Sequence, residues 1–272
     1  MALTTEAGLQ TALNSAQEID FVKASGTAEG SGPWHSCWTL AGLPPAGANP
    51  PAFGTGTNYR PTQATTGAAN FANASGSKSL LVSAARMVKG STGRVRLCDR
   101  LWACSGFNTT TLTTQTIVSA SSYPVNRGNT NGIGVEPWLE VYTTDGATGA
   151  TWTMNFQDAQ AGGVVAGTYV HPANAEAVGS MMPVTLADGT LSVSYAIDFI
   201  CSASSGTAGD VGITLLRPIL EWDLTEANRE QMMGYLETAL AKIENNACLM
   251  LMVHPTGTSS GALVGSVQVI ES

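Results

Sequence analysis

The sequence predicts a mainly β protein: an antiparallel β-sandwich or jelly-roll-like domain with a short N-terminal helix and one α-helix on the C-terminal side. Three observations predict it. About nine short apolar runs, several with strict polar–apolar alternation, follow one another at short spacing after Lys78. Strings rich in Gly, Ser, Thr and Asp separate them. No helical pattern alternates with the runs, as a parallel βαβ protein would require. At 272 residues and 43% hydrophobic, the chain holds one large or two modest domains with room for a real core.

The first segment, 1–25, reads as a helix. Thr4 or Thr5 stands as the cap, Glu6 lies in the first turn, and Leu9, Ala12, Leu13 and Ala16 recur at helical spacing. From 26 to 77 the chain turns to Gly, Pro, Ala, Thr and Asn, including GLPPAGANPPAFGTGTNYRP. Such a stretch is an extended arm or long loop. Trp34, Trp38, Phe53, Tyr59 and Phe71 argue for an arm ordered against a surface, its own or a neighbour's, since a pure linker carries few aromatics.

The sandwich domain occupies 78–272. Leu80 to Val88 and Arg94 to Cys104 flank KGSTG, whose composition suits a hairpin turn. In TWTMNFQD the side chains of Trp152, Met154 and Phe156 share one strand face, and PWLEVY is its expected partner through TTDGATGA. Met181 to Leu186, Val193 to Cys201 and VGITLLRPIL follow, and CLMLMVH with ALVGSVQVI around PTGTSSG makes a third expected hairpin. Within this domain a helix is predicted at about 225–245. Asp223 or Thr225 caps it, Lys242 lies late, and Met232, Met233, Leu236, Leu240 and Ile243 form an apolar stripe.

Composition narrows the function. Charged residues are 12% of the chain, with 12 basic against 20 acidic and a net charge of −8. A disordered chain carries more charge, a membrane helix needs about 18 unbroken apolar residues, and broad nucleic-acid binding needs clustered Lys and Arg. Neither a nucleic acid nor a membrane is therefore an expected partner. The N-terminus lacks the basic and apolar regions of a secretory signal, which predicts synthesis in a reducing cytoplasm with Cys37, Cys98, Cys104, Cys201 and Cys248 as buried thiols.

Scarce charge is concentrated in two places. Between Arg86 and Arg100 stand five bases and one acid; between Glu221 and Glu244 stand six acids and two bases. Along RVRLCDRLW the two-residue period puts Arg94, Arg96 and Arg100 on one face with Cys98 and Trp102. One reading is solvated charge. The sharper one is an inter-subunit contact in which Arg94, Arg96 and Arg100 of one copy meet Glu226, Glu230 and Glu237 on the acidic helix of another, with Trp34 and Trp38 contributing from the arm.

Signals for chemistry are weak. Gly257 to Gly261 spell GxSxG around Ser259, with His254 just before, yet a nucleophile elbow needs a strand followed by a helix and this string lies between two strand-like runs. Glu136 with Glu140, and Glu221 with Asp223, are acid pairs of the kind found on any strand or helix start. His35 and Cys37 in PWHSCW are two metal-ligand types where a site needs more, and a packed aromatic cluster accounts for them. No catalytic, cofactor or metal residues are assigned, and the chain is not expected to be an enzyme.

The segments GRVRLCDRLWACSGF (93–107), GIGVEPWLEVYTTDGATGATWTMNF (132–156) and GDVGITLLRPILEWDL (209–224) resemble virion structural proteins of tailed bacteriophages. The resemblance implies a particle component, made in the host cytoplasm, located in the virion and working by assembly with other virion proteins and with copies of itself. Within that class it favours a capsid-associated cement or decoration protein, with a collar, neck or tail-associated protein as the alternative. A carbohydrate- or receptor-binding virion module is a further one, for which Trp34, Trp38 and Tyr59 are the candidate aromatics.

Overall fold

The computed structural model describes residues 5–26, 33–56, 59–122, 124–128, 132–158, 160–187, 192–258 and 261–272. The helix α1 (Glu6–Asn14) leads into β1 (Gln17–Lys23), β2 (Trp34–Ser36), β3 (Gly42–Leu43), β4 (Leu80–Lys89) and β5 (Gly93–Asn108). Then come β6 (Gln115–Thr116), β7 (Glu136–Thr143), β8 (Ala150–Gln157), β9 (Val164–His171), β10 (Ser180–Pro183) and β11 (Thr185–Leu186). The chain ends with β12 (Tyr195–Cys201), β13 (Asp210–Leu224), β14 (Gln231–Met233), α2 (Tyr235–Thr238), β15 (Lys242–Ile243), β16 (Leu249–Pro255) and β17 (Leu263–Glu271).

The strands form three antiparallel layers. Sheet I runs β14-β4-β17-β1-β3, with β15 also on β4. A closed barrel, β10-β2-β16-β5-β13-β7, lies in the middle, and sheet II runs β11-β9-β8-β12-β6. The long strands β5 and β13 explain how one barrel serves two flanks. Their Val95, Leu97, Leu220, Trp222 and Leu224 share a core with Ile19, Phe21, Val82, Met87 and Val267 of sheet I. Their Phe107, Val211, Ile213 and Leu215 share another with Trp152, Met154, Phe156 and Phe199 of sheet II. The barrel lumen is filled by Trp34, Trp38, Cys98, Trp138, Met181, Leu216, Met250 and Met252. A fully buried Trp or Phe removes about 150–250 Å² from water, several kcal/mol of transfer each at about 25 cal/mol per Å². An exposed ion pair contributes about 0–1 kcal/mol, so the cores hold the fold.

The mainly β, sandwich-like class is what the sequence predicts; the connections differ. All three expected hairpins are arches that cross from one layer to another. β4 pairs with β17, β14 and β15 whereas β5 pairs with β13 and β16. β7 pairs with β10 and β13 whereas β8 pairs with β9 and β12. β16 lies in the barrel and β17 in sheet I. Alternation reports which face of a strand is buried, and two strands facing each other across a core satisfy it as well as two side by side. The one direct hairpin among the described residues joins β8 to β9, with Gln157 opposite Val164.

The helix predicted at about 225–245 is also corrected. The C-terminal-side helix is the single turn Tyr235–Thr238, flanked by β14 and β15. Both of these strands pair with β4, whose backbone would otherwise present a free edge. That tertiary demand outweighs a helical pattern interrupted by Gly234, and the turn ends with Ala239 and Leu240 at φ 50° and 52°. The expected stripe is split, with Ile243 sealed while Met232 and Leu236 are 73% and 76% exposed.

At the N-terminus α1 starts where expected. Thr5 is the cap, accepting from the Gly8 amide at 3.1 Å; Thr4 lies outside the described residues. Residues 17–23, read with the helix from sequence, instead form β1 in sheet I, with Ile19 and Phe21 inward. The arm folds on its own protein. The sealed Trp38 donates from Nε1 to the Ala48 carbonyl at 2.8 Å, and a Cβ on Gly47 would stand 2.2 Å from its ring. Lys23 reaches across to the arm, donating to the Pro44 and Leu40 carbonyls at 2.7 and 3.2 Å.

Candidate functional site

Strand β5 carries its charged face from the rim of the barrel, at the exposed Arg94, to its interior at the sealed Arg100. Val95 and Leu97 point outward to sheet I, so the residues between them must line the lumen. Cys98 packs there, and Arg96 and Arg100 lie near the mouth and in the depth respectively. The common face predicted for Arg94, Arg96, Cys98 and Arg100 is therefore real, but it runs inward along the strand: Arg94 is exposed, Arg96 is half-buried at the mouth, and Cys98 and Arg100 are sealed inside. Trp102 leaves it, because the register of β5 on β13 shifts between Leu215 and Leu216 and the indole joins the core against sheet II.

At the barrel mouth Arg96 is held on every side. It bonds Glu221 from Nε at 2.8 Å and Glu136 from Nη1 at 2.9 Å. Its guanidinium carbon lies 4.9 Å from the Trp34 ring centre and 5.9 Å from that of Trp138. Arg94 also stands over Trp34, at 5.2 Å, and pairs with Glu221 at 3.3 Å; the His254 ring meets the indole edge-on. Burial opposes the Arg96 charge, but the Glu221 bond and the two carboxylate charges outweigh it and raise its pKa. Beside this cluster opens a groove of about 860 Å³, lined by Arg96, Val135, Glu136, Trp138, Pro183 and Leu186 among others.

The inter-subunit contact expected from the charges divides between two parts of the molecule. Arg94, Arg96 and Trp34 are brought together at the barrel mouth, and the acids they meet are Glu136 and Glu221 of the same chain. Arg100 is withdrawn from any surface. It is sealed in the lumen, donating to Glu140 and Tyr142 at 2.8 and 2.9 Å, with the buried Trp38 ring 4.8 Å away. Glu226, Glu230 and Glu237 lie on the segment that follows β13 and runs through β14 and α2 along sheet I. Glu226 pairs with Arg229 at 2.7 Å, Glu230 approaches Arg86 to 4.0 Å, and Glu237 accepts from the Gly234 amide at 2.8 Å. The basic strand and the acidic segment thus find most of their partners within one chain.

What the sequence reading missed is the outer face of sheet I. On β1, Glu18, Asp20 and Val22 point away from the core while Ile19, Phe21 and Lys23 point in. The register sets Leu43, Val22, Val264 and Val88 side by side across β3, β1, β17 and β4. Leu43, Val22 and Val264 are each nearly half exposed, and Met232, Tyr235 and Leu236 are exposed on and beside the edge strand β14. Arg86 on this face lies between Glu18 and Glu230. The alternation of β1 carried a signal, but reading residues 1–25 as a helix alone hid it.

No protein-family model matches the chain, and no curated protein matches it. Among solved structures, one of the infectious bursal disease virus Gt strain is similar over 94% of this chain and 80% of that one, at 9% identity and a TM-score of 0.19. At that level neither a fold nor a role transfers.

For chemistry, the described residues offer little that converges. No group of three or more His, Cys, Asp or Glu among them is placed to hold a metal. The GxSxG string joins β16 to β17, two strands in different layers, and Ser259 lies outside the described residues. Its neighbour His254 is engaged with Trp34. Among the described residues no helix is long and apolar enough to cross a membrane.

Proposed function

We propose that this protein is a structural component of a virus particle that works by protein–protein assembly without catalysis. The finer reading is a capsid-associated cement or decoration protein of a tailed bacteriophage, contacting other virion proteins and copies of itself. The observation that carries the assembly reading is the uncovered outer face of sheet I. A row of apolar side chains crosses four strands there, with the exposed Met232 and Leu236 on the same sheet's edge beyond Arg86 and Glu230, and exposed apolar surface of this kind is characteristic of protein contacts.

The virion part of the reading rests on the resemblance of residues 93–107, 132–156 and 209–224. These segments are β5, the β7–β8 arch and β13, of which β5, β7 and β13 are barrel strands and β8 belongs to sheet II. A collar, neck or tail-associated protein would use the same surface. A receptor- or glycan-binding module loses support, because Trp38 is sealed and Trp34 is covered by arginines.

The test is mass spectrometry of purified particles combined with a charge placed in the apolar row. The protein is expected in the mature particle, and Val264→Lys is expected to fold normally yet fail to co-sediment with particles. Absence from the particle, or a Val264→Lys variant that is incorporated like the natural chain, overturns the reading.

A further inference from the structure

His171 ends β9, and its ring is shut off from solvent together with the carboxylate of Asp145, in the connection between β7 and β8. The ring stacks on Trp152 of β8 at 4.5 Å and 19°. Nε2 lies 3.0 Å from Asp145 Oδ2, and Nδ1 lies 3.2 Å from the Thr148 carbonyl oxygen. Nδ1 is within hydrogen-bond reach of the carbonyl, whereas Nε2 approaches the carboxylate closely but outside hydrogen-bond geometry, so that contact is one of charge. The Thr148 carbonyl calls for an N–H on Nδ1, and only the protonated ring offers the buried Asp145 carboxylate a positive charge.

The pair is a junction of several segments. The other oxygen of Asp145, Oδ1, accepts the Glu176 amide at 2.7 Å, which fastens the segment between β9 and β10. The Thr148 amide donates to the Ser205 carbonyl at 2.9 Å, reaching the connection between β12 and β13. Beyond Glu176 the chain enters the barrel: the Gly179 amide donates to Val141 and its carbonyl accepts from Ser36, each at 2.8 Å. The junction thus sits at the seam where sheet II is joined to the barrel.

We infer that His171 and Asp145 form a proton-operated clamp: the buried imidazolium–carboxylate pair fastens the connections 144–149 and 172–179 together, and loss of the His171 proton loosens both. The titratable groups facing the ring are Asp145 from the β7–β8 connection and Glu176 from the β9–β10 connection; Tyr169, on the same strand as His171, bonds Glu176 at 3.2 Å. β8 contributes only the Trp152 ring. The β12–β13 connection presents Ser205, Thr207 and Gly209 around the Asp145 loop, none of them charged. Burial pulls the His171 pKa down, but the Asp145 carboxylate, the Thr148 carbonyl and the Glu176 charge outweigh it and leave it above the ordinary 6.5. Because the folded-state value is raised, the stabilisation is complete below pH about 6.5 and is lost as pH climbs through the raised value. Burial raises the Glu176 carboxyl in turn, so its pull on the imidazolium weakens on the acid side.

The experiment follows the full chain by NMR of the imidazole nitrogens and by amide exchange corrected for intrinsic pH dependence. With three histidines in the sequence, assignment needs only His35 and His254 variants. His171 is expected to carry protons on both nitrogens at pH 6.5. Exchange in 144–149 and 172–179 is expected to quicken together by about tenfold or more as it deprotonates, with β5 and β13 unchanged. His171→Gln should exchange fast in both segments at every pH. A neutral His171 at pH 6.5, or exchange in the two segments that ignores its titration, overturns the clamp. If His171→Gln fails to fold, the titration of the natural chain and of Asp145→Asn decides.

Discussion

Arg100 and Glu140 form an ion pair inside the barrel, 2.8 Å apart and both closed to solvent at 0% and 1% side-chain exposure. Tyr142 donates to the same carboxylate oxygen at 2.8 Å and Thr214 at 2.9 Å, so Glu140 Oε2 is the hub of a buried network. Burial works against the Arg100 charge, and the Glu140 carboxylate together with Tyr142, Cys248 and Tyr59 more than restores it. Two buried charges hold each other in place at a desolvation cost that their attraction has to offset.

Removing one partner strands the other. Arg100→Met and Glu140→Leu are each expected to destabilise by about 3–5 kcal/mol, while the double variant recovers much of that loss because no uncompensated charge remains. Urea unfolding of all four proteins closes the cycle. Additive losses would show that the two side chains do not depend on each other.

How far this network was legible in the sequence is instructive. The two-residue period of RVRLCDRLW correctly gathered Arg94, Arg96, Cys98 and Arg100 on one face, and Arg94 is exposed as expected, but the inner half of that face, ending at Arg100, is sealed. Charged side chains were placed outside because desolvation is costly, and the acids that cancel this cost, Glu140 and Glu136 on β7 and Glu221 on β13, are distant in sequence or, like Glu221, were counted with another patch. The same locality limits the connections. KGSTG, TTDGATGA and PTGTSSG mark true reversals, yet whether a reversal yields a hairpin or an arch depends on which strands complete each layer. β9 escaped notice although VVAGTYVH is rich in β-branched residues, since Gly167 and the exposed Val164 and Val170 blur its alternation. The His171–Asp145 junction spans two connections and had no local signature at all.

At the barrel mouth, Arg96→Lys is the informative change. Lysine keeps the charge but loses the planar fork that reaches Glu221 and Glu136 together and the flat contact with Trp34 and Trp138. A loss of about 1–2 kcal/mol is expected, lowering the thermal midpoint by several degrees in a protein of this size. Calorimetry checks it, with Trp fluorescence reporting the altered packing. An unchanged midpoint would mean that charge alone matters there.

The arm is tied to sheet I by Lys23, whose amine is buried and bonds the Leu40 and Pro44 carbonyls. Burial pulls its pKa down, against the influence of Cys37. Lys23→Met keeps the volume and leaves both carbonyls without their donor, at about 1–3 kcal/mol. The effect should be local. Limited proteolysis with mass mapping is expected to cut the variant within residues 39–48 while the barrel strands stay protected; cleavage identical to that of the natural chain would show that the arm is held by Trp38 alone.

The thiols offer a test of the cores themselves. All five cysteines are buried, and burial pushes Cys104, Cys201 and Cys248 up to about 12 and Cys98 higher still. The thiolate is the reactive form, and at pH 8 a thiol with a pKa of about 12 is ionised to roughly one part in ten thousand. A water-soluble disulfide reagent is therefore expected to find no fast-reacting thiol in the native protein at pH 8 and all five in denaturant. Arg100 lies close enough to Cys248 to favour its thiolate, so in Glu140→Leu, where the guanidinium loses its carboxylate, Cys248 should become the first to react. Fast labelling of any one cysteine in the natural chain would mean that the layer covering it opens far more readily than its packing implies.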